Sequence, residues 1–237
     1  VSTPSFDSNE FILGLSDARW NALNEDERKP LLNRFRQIWC PGSTLKPVIA
    51  SIGLKTGAVD WQEDFGNEGL SWQKDASWGD YYITTLHAYE PVTMENALIY
   101  SDNIYFAKAA LGIGADVLER ELNIMGFGEQ IPFEIVMPPS QYSNTEHIES
   151  EIQLADSGYG QGQILINPLH MAGLYTAFCN GGNALKPRLV YEDEADMDAE
   201  DSLLIVSMVE NVKEIGGSGY VVSKDRNALD AYWGSGQ

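Results

Sequence analysis

The chain has 237 residues, 43% of them apolar and 11% aromatic, which excludes a disordered segment and allows one large domain or two small ones. Its net charge of −20, from 35 acidic against 15 basic residues, speaks against nucleic acid or an anionic membrane surface as a partner, because the long-range field repels both. No apolar run reaches the ~18 residues that span a bilayer, the three histidines lack ligand spacing, and two cysteines make neither a disulfide framework nor a metal site.

The chain opens at Val1-Ser2-Thr3-Pro4 without an initiator methionine or a signal peptide, so it is expected to be a piece of something longer. Residues 1–15 read as a strand end followed by a loop. Ser16 caps a helix carrying Trp20 and Leu23, and a polar loop runs from Asn24 to Lys29. Pro30-Leu31-Leu32-Asn33-Arg34 then leads to Cys40-Pro41-Gly42-Ser43-Thr44-Leu45-Lys46-Pro47. Pro-Gly breaks what precedes it, and Val48, Ile49, Ala50, Ile52 and Leu54 read as a buried helix.

Ser43 therefore sits at a helix start, where free N–H groups and the positive dipole end collect. Ser43 and Lys46, at i and i+3, share one face of the first turn. A partly desolvated lysine there could take the proton of a serine hydroxyl, as an activated nucleophile requires. The competing reading is a capping serine with a solvated lysine one turn on. Cys40 is expected to be a buried structural cysteine, since no histidine lies near it in sequence.

Residues 60–90, with Trp61, Trp72, Trp78, Tyr81 and Tyr82, show no clean period and read as extended or irregular. The tryptophans could shape a groove or pack in the core. Thr93 caps a helix from Met94 to Tyr100, which ends at Ser101-Asp102-Asn103. Further helices are read over Ile104–Leu111 and over Asp116–Met125, closed by Gly126. Residues 127–150 are loop-like, and Gly158-Tyr159-Gly160-Gln161-Gly162 is a glycine-rich turn. Asn167-Pro168 starts a helix through Phe178, with Asn180-Gly181-Gly182 as its stop. Beyond it come a short strand at Leu185–Val190, an acidic junction at Tyr191–Asp201 and a buried strand at Ser202–Val209. A turn at Gly216–Gly219 and a helix at Tyr220–Trp233 complete the chain.

Ser101-Asp102-Asn103 lies 58 residues beyond Ser43 (from 43 to 101). S-x-x-K, S-D-N and K-T-G together form the signature of penicillin-binding proteins and class A β-lactamases. The chemistry explains the grouping. Ser43 attacks a carbonyl, Lys46 handles its proton, Ser101 relays a proton to the leaving nitrogen, and the Asn103 amide can hold both Lys46 and a substrate amide.

The chain resembles the transpeptidase domain of class B penicillin-binding proteins. The resemblance is carried by Ser2-Thr3-Pro4-Ser5-Phe6-Asp7, Pro30–Phe35, Pro41–Pro47, Ser101–Ala107 and Gly158–Pro168, in that order. Trp72-Gln73-Lys74-Asp75-Ala76-Ser77-Trp78-Gly79 is most similar to the low-affinity, β-lactam-resistance branch. The resemblance implies an α/β (α+β) fold of the penicillin-binding protein and serine β-lactamase type. In it an antiparallel sheet is flanked by helices on both sides, and the central helix carries Ser43. It implies one domain over 1–237, acting as a peptidoglycan D,D-transpeptidase with Ser43, Lys46, Ser101 and Asn103 catalytic and no cofactor or metal. The implied partners are stem peptides ending in D-Ala-D-Ala and β-lactams as covalent inhibitors. A monomer on the extracytoplasmic face of a bacterial membrane is implied, held by an anchor outside this chain.

The sequence departs from the family at two places. The family's first strand should precede Val1, and its K-T/S-G strand should fall near 190–200, where Val190 instead meets eleven mostly acidic residues. The only Lys-Thr-Gly, Lys55-Thr56-Gly57, reads as a helix end with Gly57 in the left-handed position. A true deletion of a central strand would orphan backbone groups, so segments left out of this sequence are the expected explanation. An intact mass well above 26.2 kDa would support that. The alternatives are a β-lactam sensor domain, a serine β-lactamase, or a catalytically incomplete structural module of the same fold.

Overall fold

Helix α5 (Asn103–Ile113) is the axis of the structure, a computed structural model that describes residues 4–189 and 203–204. Asp102 caps it, its carboxylate accepting from the Ile104 N–H at 2.8 Å. Tyr105, Phe106, Ala107 and Ala110 are fully buried, so α5 has apolar neighbours on nearly every side. Burying a large apolar side chain contributes about 1.5–3 kcal/mol, and the alanines let neighbouring backbones come close.

Helix α5 packs against α3 (Lys46–Thr56) on one side and α7 (Glu151–Ser157) on another. Helix α4 (Met94–Ile99) leads into α5, and α6 (Ala115–Ile124) follows it after Gly114. In α6, Leu118 and Leu122 at i and i+4 form its fully buried stripe. Gly158, just past α7, lies so close to α5 that a Cβ there would stand 2.1 Å from the Phe106 carbonyl oxygen. Helix α8 (Pro168–Cys179) begins with proline and is capped by Asn167, whose Oδ1 accepts from Leu169 N. The amide of Asn167 reaches back to the Phe35 carbonyl at 2.6 Å and so fixes the segment entering the Ser43 turn.

Two small antiparallel ladders are present among the described residues. Strand β1 (Ser71–Trp72) pairs with β2 (Ile83–Thr84), and β3 (Asn183–Ala184) pairs with β4 (Leu203–Leu204). Isolated bridges join Ile166 to Trp39 and Leu165 to Gln141. Among the described residues no helix is long and apolar enough to cross a membrane.

Several expected elements are displaced. Residues 1–15 contain a short helix, α1 (Asn9–Leu13), ahead of α2 (Asp17–Glu25), whose Ser16 cap is as expected. Helix α5 runs two residues beyond Leu111 and starts at Asn103. Helix α7 was not anticipated. The short strand is Asn183–Ala184 rather than Leu185–Val190, because Thr176 Oγ1 takes the Leu185 N–H at 2.7 Å in place of a ladder partner. The acidic junction, most of the buried strand expected over Ser202–Val209, the following turn and the final helix lie outside the described residues.

Candidate active site

Ser43 is exposed on a 3-10 turn, Gly42–Leu45, that runs directly into α3. Gly42 is in the left-handed region (φ 56°), and its N–H donates to the Gly160 carbonyl at 2.9 Å. A Cβ on Gly160 would come 2.1 Å from the Gly42 carbonyl oxygen, so the glycine-rich turn can press against the Ser43 turn only because Gly160 lacks a side chain. A Cβ on Gly42 would meet nothing within 4 Å, and glycine there serves the left-handed backbone. From the other side, the Tyr175 hydroxyl of α8 donates to the Thr44 carbonyl at 2.6 Å.

Lys46, one turn on, is 2% exposed. Its ammonium has three N–H donors and three acceptors: Ser101 O at 2.5 Å, Ser101 Oγ at 3.0 Å and Asn103 Oδ1 at 2.8 Å. The Phe106 ring lies 5.8 Å from Nζ. Ser101 can offer both oxygens because it sits in the left-handed region (φ 53°), a conformation that costs a non-glycine residue about 1–2 kcal/mol. The Ser101 hydroxyl then donates to Ser43 Oγ at 2.9 Å. The hydrogen bonds therefore run from Lys46 through Ser101 to Ser43.

Asn103 is held from two directions. Its Oδ1 faces Lys46, and its Nδ2 donates to the Thr84 carbonyl of β2 at 2.9 Å. The amide has a second N–H, which this clamp leaves for another acceptor. Burial lowers the Lys46 amine to about 8, opposed by the charge of Asp102. A lysine so placed loses its proton close to neutral pH and can serve as a base.

The structure brings Ser43, Lys46, Ser101 and Asn103 together from two segments, and the solvated-lysine reading of S-x-x-K does not hold. Cys40 corrects another expectation. It is exposed, although its Sγ donates to the Gly160 carbonyl at 3.1 Å. Lys55-Thr56-Gly57 is a helix end as read: Gly57 is left-handed (φ 69°), and Lys55 pairs with Glu121 at 2.7 Å. Trp78 is a core residue, and half-buried Trp72 lies under the Lys108 ammonium at 5.4 Å.

Sequence reasoning missed Thr84, Tyr89 and Gly160 as supports of the site. Of these, only Gly160 had a visible signal, in the glycine spacing of 158–162. The segment expected to hold the third motif lies outside the described residues.

The sequence profile of the penicillin binding protein transpeptidase domain matches residues 1–225. Penicillin-binding protein 3 of Bacillus subtilis is 45% identical over 199 residues, covering 84% of this chain and 30% of that protein. Peptidoglycan D,D-transpeptidase MrdA of Escherichia coli is 26% identical over 205 residues, covering 83% of this chain and 32% of that protein. Both relatives are thus about three times as long as the part matched. Among solved structures, the ceftriaxone acyl-enzyme complex of penicillin-binding protein A from Mycobacterium tuberculosis superposes with a TM-score of 0.71 at 21% identity. It covers 91% of this chain and 51% of that one, a likeness of fold.

Proposed function

Since the chain belongs to the penicillin-binding protein transpeptidase family, we propose that it carries the serine acyl-transfer site of a class B peptidoglycan D,D-transpeptidase. Ser43 is the nucleophile, forming an acyl-enzyme on the penultimate D-alanine of a stem peptide, and the same attack opens β-lactams. Lys46 is the base that accepts the Ser43 proton. Ser101 passes a proton to the departing D-alanine. Asn103 uses its free amide N–H to hold the substrate. The backbone N–H of Ser43, at the head of the 3-10 turn, supplies one oxyanion donor.

The observation that carries this reading is the unbroken series of hydrogen bonds from a buried lysine through Ser101 to an exposed serine hydroxyl. The resemblance of the Trp72–Gly79 stretch to the low-affinity branch supports the further reading that most β-lactams acylate this site slowly. Action on peptidoglycan places the site outside the cytoplasm, with the chain anchored through sequence beyond it.

The test is exchange on a stem peptide ending in D-Ala-D-Ala with a labelled D-amino acid as acceptor, using the full-length protein. Release of D-alanine with incorporation of the acceptor is the expected result. Acylation by β-lactams without exchange would favour a sensor domain. Rapid turnover of a chromogenic cephalosporin would favour a β-lactamase.

A further inference from the structure

Two buried groups of opposite charge lie on either side of the 101–103 turn without touching. Lys46 and Asp102 are 2% and 4% exposed. Every hydrogen-bond partner of the Lys46 ammonium described above is neutral. The Asp102 carboxylate also bonds neutral donors, with one oxygen on Ile104 N at 2.8 Å and the other on the Tyr89 hydroxyl at 2.8 Å. Tyr89 is itself held by stacking on Tyr100, at 4.4 Å and 27°. The Asp102 N–H is fixed too, donating to the Ala97 carbonyl at 2.8 Å. The side chain is therefore held in one place, on the residue between the two that bind Lys46.

We propose that Asp102 is a positioning residue for the reaction, its buried carboxylate acting across the turn as the counter-charge that keeps the Lys46 ammonium seated on Ser101 and Asn103. This rests on the roles given to Ser43 and Lys46 above. A buried ammonium among neutral acceptors is under pressure to lose its proton. Asp102 opposes that pressure without forming an ion pair, so Lys46 stays in line with Ser101 in the resting site and still releases its proton near neutral pH. A carboxylate in direct contact would hold the ammonium too firmly for it to act as a base.

Among the described residues, the other charged groups near Asp102 include Glu63 and Asp60, whose charges act on Tyr105. The cleft beside Asp102 is lined by Glu68, His87, Tyr89, Tyr105 and Lys108. Lys108 bonds Glu68 at 2.5 Å and the Phe65 carbonyl at 3.2 Å, so its charge is matched locally. The Tyr89 and Tyr105 hydroxyls are pushed well above their ordinary range by burial and stay neutral.

The test uses Asp102→Asn and Asp102→Ser. Both residues cap a helix about as well as aspartate, so α5 keeps its cap. Asparagine removes the charge and keeps a polar group toward the Tyr89 hydroxyl, whereas serine gives up that bond as well. Lys46 is followed by NMR on protein labelled with 13C at lysine Cε, its signal assigned by its disappearance in Lys46→Arg. The expected midpoint is about 8 in the parent. In both variants it falls by about one pH unit, and the acid limb of β-lactam acylation moves down with it. A turn that had merely loosened would hydrate Lys46 and move the midpoint up, so the sign separates a charge effect from a structural one. An unchanged or raised midpoint overturns the proposal. If the parent is never acylated, the functional reading fails while the Lys46 midpoint still decides this one.

Discussion

The Ser101 hydroxyl stands 2.9 Å from that of Ser43 and donates to it, across 58 residues of sequence. That contact joins the two helix-borne motifs, and it depends on a strained residue. Replacing Ser101 with glycine removes the hydroxyl and relieves the left-handed conformation together. Acylation by penicillin should slow about a hundredfold, while the melting temperature stays at or above that of the parent. A rate equal to the parent's would remove Ser101 from the proton path.

The amine of Lys46, lowered to about 8 by burial, predicts a pH dependence with a definite sign. Only neutral lysine can accept the Ser43 proton. Acylation should therefore rise about tenfold per pH unit below the midpoint and level off above it. Lys46→Arg, charged at every accessible pH, should lose at least about a hundredfold throughout. Stopped-flow acylation from pH 6 to 9.5 checks both, and a flat profile in the parent would contradict the assignment of the base.

Two glycines in the left-handed region should respond differently to alanine. At Gly160 (φ 74°) the new Cβ would meet the Gly42 carbonyl oxygen at 2.1 Å, whereas at Gly57 (φ 69°) it meets nothing within 4 Å. Gly57→Ala should cost only the backbone strain, about 1 kcal/mol, and leave β-lactam labelling intact. Gly160→Ala should cost more, about 1–3 kcal/mol beyond that strain, and displace the Ser43 turn. Thermal melts with parallel labelling distinguish the pair. Equal effects at both positions would show that the Gly160 contact does not shape the site.

Away from the site, His147 Nδ1 lies 2.9 Å from Glu119 Oε2, and Ile148 N donates to Glu119 Oε1 at 2.6 Å. The Glu119 hydrogen bond, followed by its charge, raises the imidazole above its ordinary value. Since the folded value is the higher one, the stabilisation is complete below the unfolded pKa of about 6.5. It is lost as pH rises through the folded value. NMR titration of His147 should show a midpoint above about 6.5 that drops in Glu119→Gln. No difference between the two proteins would mean that the contact is absent in solution.

What the sequence revealed depended on how local each signal was. The spacing of Ser43 and Lys46 and the Ser16 cap of α2 are set within one helical turn, so pattern and chemistry exposed them. The exposure of Cys40 and the Asn103–Thr84 clamp depend on segments that meet only in the folded chain, and no local pattern marks them. Helix α7 was missed although Ser150 accepts from Gln153 N at 3.1 Å, because seven residues carry too little apolar period to stand out after the long loop. The short strand is expected two residues late, over Leu185–Val190, whereas the pairing falls on Asn183–Ala184, whose partners Leu203 and Leu204 no local pattern reveals.

The central claim is that Ser43 is the acylated nucleophile. It is tested most directly by incubating the protein with a fluorescent penicillin and locating the adduct by peptide mass spectrometry. The account predicts one adduct, on the peptide carrying Pro41-Gly42-Ser43-Thr44-Leu45-Lys46 and on Ser43 within it, and none in Ser43→Ala. An adduct elsewhere, or equal labelling of Ser43→Ala, would contradict it.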